Sequence, residues 1–230
     1  MKITPLHPWD VSPEEAMEIQ RRLLNRVSRE KGFGRVEAVA GVDVGFKGEM
    51  ARAAVAVLSY PGLKLIDKSV AELPIGFPYI PGLLAFREGP AILAALEKLT
   101  AEPDVLIFDG HGLAHPRRMG IATHIGVIID RPTIGCAKSR LWGTHREPGP
   151  ERGSYARLYD GEEVIGAVLR TRPGVSPVYV SIGHKVDLET AIEIVLSCCT
   201  RYRLPETTRY AHRLASGEDL PLETVQPSLF

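Results

Sequence analysis

Apolar and polar positions alternate along this chain in a pattern that predicts a leading helix, three strands in succession, and then strands interleaved with helices. Ser12-Pro13-Glu14-Glu15 has the form of a capping box, with Ser at the N-cap, Pro at the first helical position and Glu at the third. Met17, Ile19, Leu23, Leu24 and Val27 follow at roughly helical spacing, and Gly32 and Gly34 are the expected stop. Val36–Phe46, Arg52–Tyr60 and Leu63–Leu73 read as strands. Lys47-Gly48-Glu49 and Pro61-Gly62 join them as short turns, so an antiparallel meander is predicted.

A Pro/Gly/aromatic segment, Pro74–Gly82, precedes a helical stretch, Leu83–Leu99, which Pro90 should kink or restart. Asp104–Asp109 (DVLIFD) is short and almost wholly apolar, as expected of a central buried strand with a polar residue at its carboxyl end. Gly110–Pro116 reads as loop, Arg117–Ile129 as helix and Thr133–Ala137 as strand. Asp160-Gly161 between Tyr155–Tyr159 and Glu163–Arg170 is a hairpin signal. Val178–Ile182 is the last strand, Asp187 caps a helix through Thr200, and Pro205–Ala215 forms a final helix stopped by Gly217. No internal repeat or linker interrupts the series. The expectation is one α/β domain over residues 1–230: a mixed sheet with an antiparallel three-strand meander and helices on both faces.

Composition excludes several classes. Apolar residues make up 44% and charged residues 24%, the balance of a chain that folds. No apolar run approaches the roughly 18 residues of a membrane span, and MKITPLHPWD lacks the cationic and apolar regions of a secretory leader. Three cysteines, two of them adjacent, make a poor disulfide framework, so a cytoplasmic protein with reduced thiols is expected. Net charge is zero, but Arg117–Arg157 holds eight basic residues against three acidic ones. That local excess predicts a lane facing phosphates, with Arg118 and Arg140 as candidate contacts.

Asp43 lies within the apolar run VAGVDVG, where a carboxylate must be paired, hydrogen-bonded or metal-bound. Asp109 ends the central strand. Two carboxylates at neighbouring strand positions can converge on a hard divalent cation; otherwise Asp43 pairs with an Arg and Asp109 caps a loop. Glu88 reads either as a solvated first-turn acid or as a third member of that cluster. His111, His115 and His124 crowd around Asp109 without the spacing of a zinc site. In Pro78-Tyr79-Ile80-Pro81, two prolines hold an aromatic and an aliphatic side chain stiffly: a wedge between base steps, or a core loop.

Five stretches together resemble the endonuclease V family: GVDVGF at Gly41–Phe46, PYIPGLLAFRE at Pro78–Glu88, FDGHGLAHPRRMGIATHIGV at Phe108–Val127, IGCAKSRLWG at Ile134–Gly143 and RLPETTRYAHRLAS at Arg203–Ser216. The resemblance spans nearly the whole chain. It implies a ribonuclease-H-like sheet and Mg²⁺-dependent hydrolysis of deoxyinosine-containing DNA, with Mn²⁺ able to substitute. The cut it implies is at the second phosphodiester 3′ to the lesion, leaving 3′-hydroxyl and 5′-phosphate ends. By the same resemblance Asp43 and Asp109 are metal ligands and Glu88 is the catalytic glutamate, which activates the water or binds a second ion. His212 completes the cluster and Lys138 stands over the scissile strand as a point cation. Pro78, Tyr79 and Ile80 form the wedge, and His115 lies near the scissile strand. His111 stands where the pattern leads one to expect Gln or another small polar residue.

Three other readings share some of these features. Cleavage of inosine-containing RNA keeps the fold and changes the sugar. An actin-like phosphotransferase shares an Asp-x-Gly start but needs a second nucleotide-binding half. A non-catalytic module for distorted DNA would require an incomplete acidic cluster. The expected partner is inosine-containing nucleic acid, bound by a monomer without a membrane.

Overall fold

The computed structural model describes residue 3 and residues 5–223; residues 1, 2, 4 and 224–230, the ends of the expected domain, lie outside that description. Its centre is an eight-stranded sheet. The strands are β1 (Ala38–Lys47), β2 (Met50–Ser59), β3 (Leu65–Pro74), β4 (Val105–Phe108), β5 (Thr133–Ala137), β6 (Tyr155–Asp160), β7 (Glu163–Leu169) and β8 (Val178–His184). They lie in the order β3-β2-β1-β4-β5-β8-β7-β6. The first three form the antiparallel meander, β1, β4 and β5 run parallel, and β8, β7 and β6 return antiparallel. This is the mixed sheet with an antiparallel three-strand meander expected from the sequence.

The period-two alternation of the strands divides the core between two faces. Val39, Ala54, Ala56, Leu58, Val105 and Ile107 pack with α4 (Leu188–Cys198) and α5 (Glu206–Ala215). Their neighbours Ala40, Val42, Val55, Val57, Leu106 and Phe108 pack with α2 (Leu84–Glu97) and α3 (Ile121–Ile129). Each large aliphatic side chain removed from water here contributes about 1.5–3 kcal/mol. Every strand of the central pair is therefore apolar on both sides, and a polar residue at its end stands out.

Three departures from expectation each have a local reason. The leading helix α1 (Pro13–Leu23) has both bonds of the capping box but gives way to a 3₁₀ turn, Leu24–Arg26, well before Gly32. Hydrogen bonds to the end of β8 and the residue after it draw the chain away: Ser28 N–H donates to His184 Nδ1 and Gly32 N–H to the Lys185 carbonyl. The helix expected from Arg117 starts only at Ile121, because the His115 ring accepts the Arg117 and Met119 amides and Arg118 is left-handed, with φ at 54°. Pro90 sits inside α2 without restarting it; buried Phe86, Ala91, Ile92 and Leu93 around it supply packing that outweighs a local cost of about 3 kcal/mol.

Candidate active site

The site begins with an absence on β1. Gly41, Asp43 and Gly45 alternate toward α5, and a Cβ on Gly41 would stand 2.0 Å from the Thr207 carbonyl oxygen. Only glycine allows the helix to lie this close. The approach carries His212, on α5, to Asp43, and His212 Nδ1 donates to Asp43 Oδ2 at 2.8 Å. Asp43 is largely enclosed, whereas the histidine is exposed on its outer side.

Asp109 follows the last residue of β4. Val42 pairs with Phe108 in the parallel register, and the Asp109 N–H donates to the Val42 carbonyl at 3.1 Å, so Asp109 comes level with Asp43. Lys138 follows β5, the third parallel strand, and its Nζ is ion-paired with Asp109. Carboxyl ends of adjacent parallel strands are where open α/β sheets gather their chemistry. Glu88 arrives from α2, where it is buried, with 9% of its surface exposed, and is not the solvated first-turn acid of the alternative reading.

Electrostatics mark the three acids as a set. Burial lifts the Glu88 carboxyl to about 8, the negative charges of Asp43 and Asp109 add to the rise, and the positive charge of Arg87 offsets part of it. Burial also raises Asp109, against the pull of the Lys138 hydrogen bond and charge. Crowded oxygen donors whose charge is unfavourable in isolation fit a hard divalent cation. Among the described residues no group of three or more His, Cys, Asp and Glu side chains is close enough to hold an ion alone. A cation here would keep waters in its shell, as Mg²⁺ does.

Beside the acids opens a cleft of about 280 Å³ whose lining includes Tyr79, Ile80, Gly82, His111, Met119 and Leu141. Tyr79 is 71% exposed, so it is no core residue; Pro78 is exposed beside it and Ile80 half-buried. His111 Nε2 donates to the Ser139 carbonyl at 3.0 Å, tying the loop after β4 to the loop after β5. Burial lowers its pKa to about 4, so the ring is neutral. His115 is 2% exposed; its Nε2 donates to the Gly82 carbonyl at 2.9 Å and its Nδ1 accepts from the Arg117 amide at 3.1 Å. Burial lowers it likewise to about 4. Both ring nitrogens are thus committed to backbone, and His115 shapes the cleft instead of reaching outward to a strand.

The basic lane needs the larger correction. The Arg118 guanidinium is enclosed between Asp160, at 2.6 Å, and Glu163, at 2.8 Å, so its charge is answered within the fold and it does not face phosphates. Arg131 pairs with Glu102 and Arg157 with Glu189. Acids from elsewhere in the chain cancel much of the excess that the segment shows on its own. Arg140, exposed on the rim of the cleft, has no ion pair among the described residues. His124 is buried, its Nε2 2.7 Å from His7 Nε2, and takes no part in the site.

Two further side chains at the site are given no role by the sequence reading. Gln20 of α1 bonds to the cleft walls, and Arg203 donates to the carbonyls of Lys138 and Pro177, holding the lysine loop. Gln20 had a signal: it is the polar member of the buried stripe Ala16, Ile19, Gln20 and Leu23.

Comparison with known proteins decides the family. A family profile described as Endonuclease V matches residues 21–213. The chain belongs to the endonuclease V family. Endonuclease V of Roseiflexus sp. (strain RS-1) is 57% identical over 214 residues, covering 93% of this chain and 96% of the relative. The crystal structure of endonuclease V from Streptomyces avermitilis superimposes with a TM-score of 0.87 at 42% identity, covering 90% of this chain and 93% of that one. That of Ciona intestinalis endonuclease V, in complex with a 23mer DNA containing an inosine followed by a ribo-adenosine, gives a TM-score of 0.78 at 31% identity, with 90% and 97% covered. Members of the endonuclease V family are hydrolases acting on phosphodiester bonds, which removes the phosphotransferase and the non-catalytic module. No helix among the described residues is long and apolar enough to cross a membrane.

Proposed function

We propose that this chain cleaves DNA at deoxyinosine, hydrolysing the second phosphodiester bond 3′ to the lesion with Mg²⁺, or Mn²⁺ in its place, and leaving 3′-hydroxyl and 5′-phosphate ends. One observation carries the reading. Three segments each supply both a wall of the cleft and a residue of the charged cluster within about a helical turn: Ala85 and Glu88, Gly110 and Asp109, Ser139 and Lys138. A base held in the cleft therefore lies beside the groups that act on its own strand. The relative from Ciona, bound to inosine-containing DNA, supports that substrate class.

In this reading Asp43 and Asp109 hold the cation, which supplies charge neutralisation at the phosphoryl oxygens. The chain does the rest. Glu88 orients the attacking water and takes its proton on a carboxylate oxygen; a cation on the two aspartates would oppose the rise that their charges and burial impose and so keep that oxygen ionised. Lys138 Nζ meets negative charge developing at the phosphate as a point cation. His212 fixes the Asp43 carboxylate from outside. Hypoxanthine leaves the stack for the cleft, and Tyr79 fills the gap it leaves.

Asp109→Ala tests the assignment. Cleavage of a deoxyinosine duplex should fall below detection while binding, measured by anisotropy, persists. Wild-type turnover in this variant would place the chemistry elsewhere. The ribo-adenosine after the inosine in the Ciona complex also calls for a parallel inosine-RNA substrate; faster cleavage of that substrate would reassign the preferred nucleic acid to RNA.

A further inference from the structure

Two of the walls of the cleft come from different parts of the chain. One is Tyr79–Gly82, the other the loop between β4 and α3. Gln20 is not among the residues lining the cleft, yet it grips both walls. Its Nε2 donates to the Gly82 carbonyl at 2.9 Å and to the Met119 carbonyl at 3.1 Å, and its Oε1 accepts from Arg117 Nε at 2.5 Å. Carbonyls on one side and a guanidinium on the other fix which way the amide points. The Gly82 carbonyl also accepts from His115 Nε2 and from the Arg117 guanidinium, each at 2.9 Å. Gly82 has φ at 83°, a backbone conformation that strains any side chain, and a Cβ there would stand 2.9 Å from the Arg117 guanidinium, which would have to give way.

We propose that Gln20 is a positioning residue that sets the separation of the two walls and, through it, which base the cleft accepts. The proposal rests on reading the cleft as the base pocket. A buried amide is tolerated only when its donors and acceptor are satisfied. Gln20 is 1% exposed, and its three bonds hold together at one spacing of Gly82 and Met119. Spreading the walls breaks at least one of them. A side chain on a helix outside the site thereby resists entry of a purine larger than hypoxanthine.

The test compares duplexes carrying one deoxyinosine, one deoxyxanthosine (which adds an oxygen at C2) or no lesion, cut by wild type, Gln20→Glu and Gln20→Met. Gln20→Glu keeps volume and the Arg117 contact but turns an oxygen toward both carbonyls; Gln20→Met removes all three bonds, and decides alone if the first variant fails to fold. The kcat/KM ratio of inosine to xanthosine should fall about tenfold in the variants, the low end of what one methylene is worth in a pocket. Equal slowing of both lesions, with the ratio unchanged, would reduce Gln20 to general support and overturn the proposal. A wild type that cuts unmodified duplex as readily as inosine duplex would instead overturn the base-pocket reading itself.

Discussion

His212 Nδ1 lies 2.8 Å from Asp43 Oδ2, a contact between the last helix and the first strand that exists because Gly41 lets α5 press against β1. The imidazole holds the carboxylate without burying itself. Partners that orient a ligating group are typically worth about 10–100-fold in activity. His212→Ala should therefore lower kcat by that factor, with KM for inosine duplex and Tm close to wild type, because the side chain is exposed. Steady-state kinetics beside thermal melts separate the outcomes. A large fall in Tm would give His212 a structural role.

Glu88 makes folding depend on pH in a direction opposite to that of most carboxylates. Its ordinary value is 4.5, and the fold holds it at about 8. Between those values the folded chain binds more protons than the unfolded one, so without divalent ions stability falls as pH rises through that window. Glu88→Gln removes the loss. Urea titrations in EDTA should show the variant more stable near pH 8 by on the order of a few kcal/mol, and the two proteins converging below about pH 4.5. Mg²⁺ should then stabilise the wild type more than the variant. Parallel stability curves at every pH would contradict the buried-acid assignment.

Tyr79 stands out from the surface with 71% of its area exposed, so truncating it removes no core packing. Tyr79→Ala should weaken inosine-duplex binding by about 1–3 kcal/mol, the scale of base stacking on an aromatic side chain. Tm should stay near wild type. Binding isotherms on inosine and unmodified duplexes give the readout, and unaltered affinity would remove the wedge.

Arg118 and Arg140, alike in sequence, should behave differently. Arg140→Glu should flatten the dependence of log K on log salt by roughly 0.9 for each duplex phosphate that Arg140 neutralises. Arg118→Glu sets a third negative charge against Asp160 and Glu163 and should lower Tm while leaving the salt slope unchanged. A flattened slope in Arg118→Glu would restore it to the interface.

The contrast shows what the sequence could and could not carry. Local rules located the capping box at Ser12, the meander, the apolar central strand and the hairpin at Asp160-Gly161 close to where they stand, because each depends on neighbours within a few residues. The burial of Glu88 and the pairing of Lys138 with Asp109 depend on elements far apart in the chain. Motif resemblance singled out these residues, but only the sheet order brings them together. Arg118 failed as a phosphate contact for the complementary reason: its partners Asp160 and Glu163 lie just beyond Arg157, where the basic segment ends. The helix expected from Arg117 failed because the His115 ring competes for the amides a helix would use.

The joining of cleft and acid cluster into one site is tested most directly by mapping the product ends on a duplex with a single deoxyinosine, labelled at either end, in Mg²⁺ and in EDTA. The expected result is one nick, at the second phosphodiester 3′ to the inosine, with 3′-hydroxyl and 5′-phosphate ends, made in Mg²⁺ and absent in EDTA. Cutting that ignores the position of the inosine, or that continues at full rate in EDTA, would contradict it.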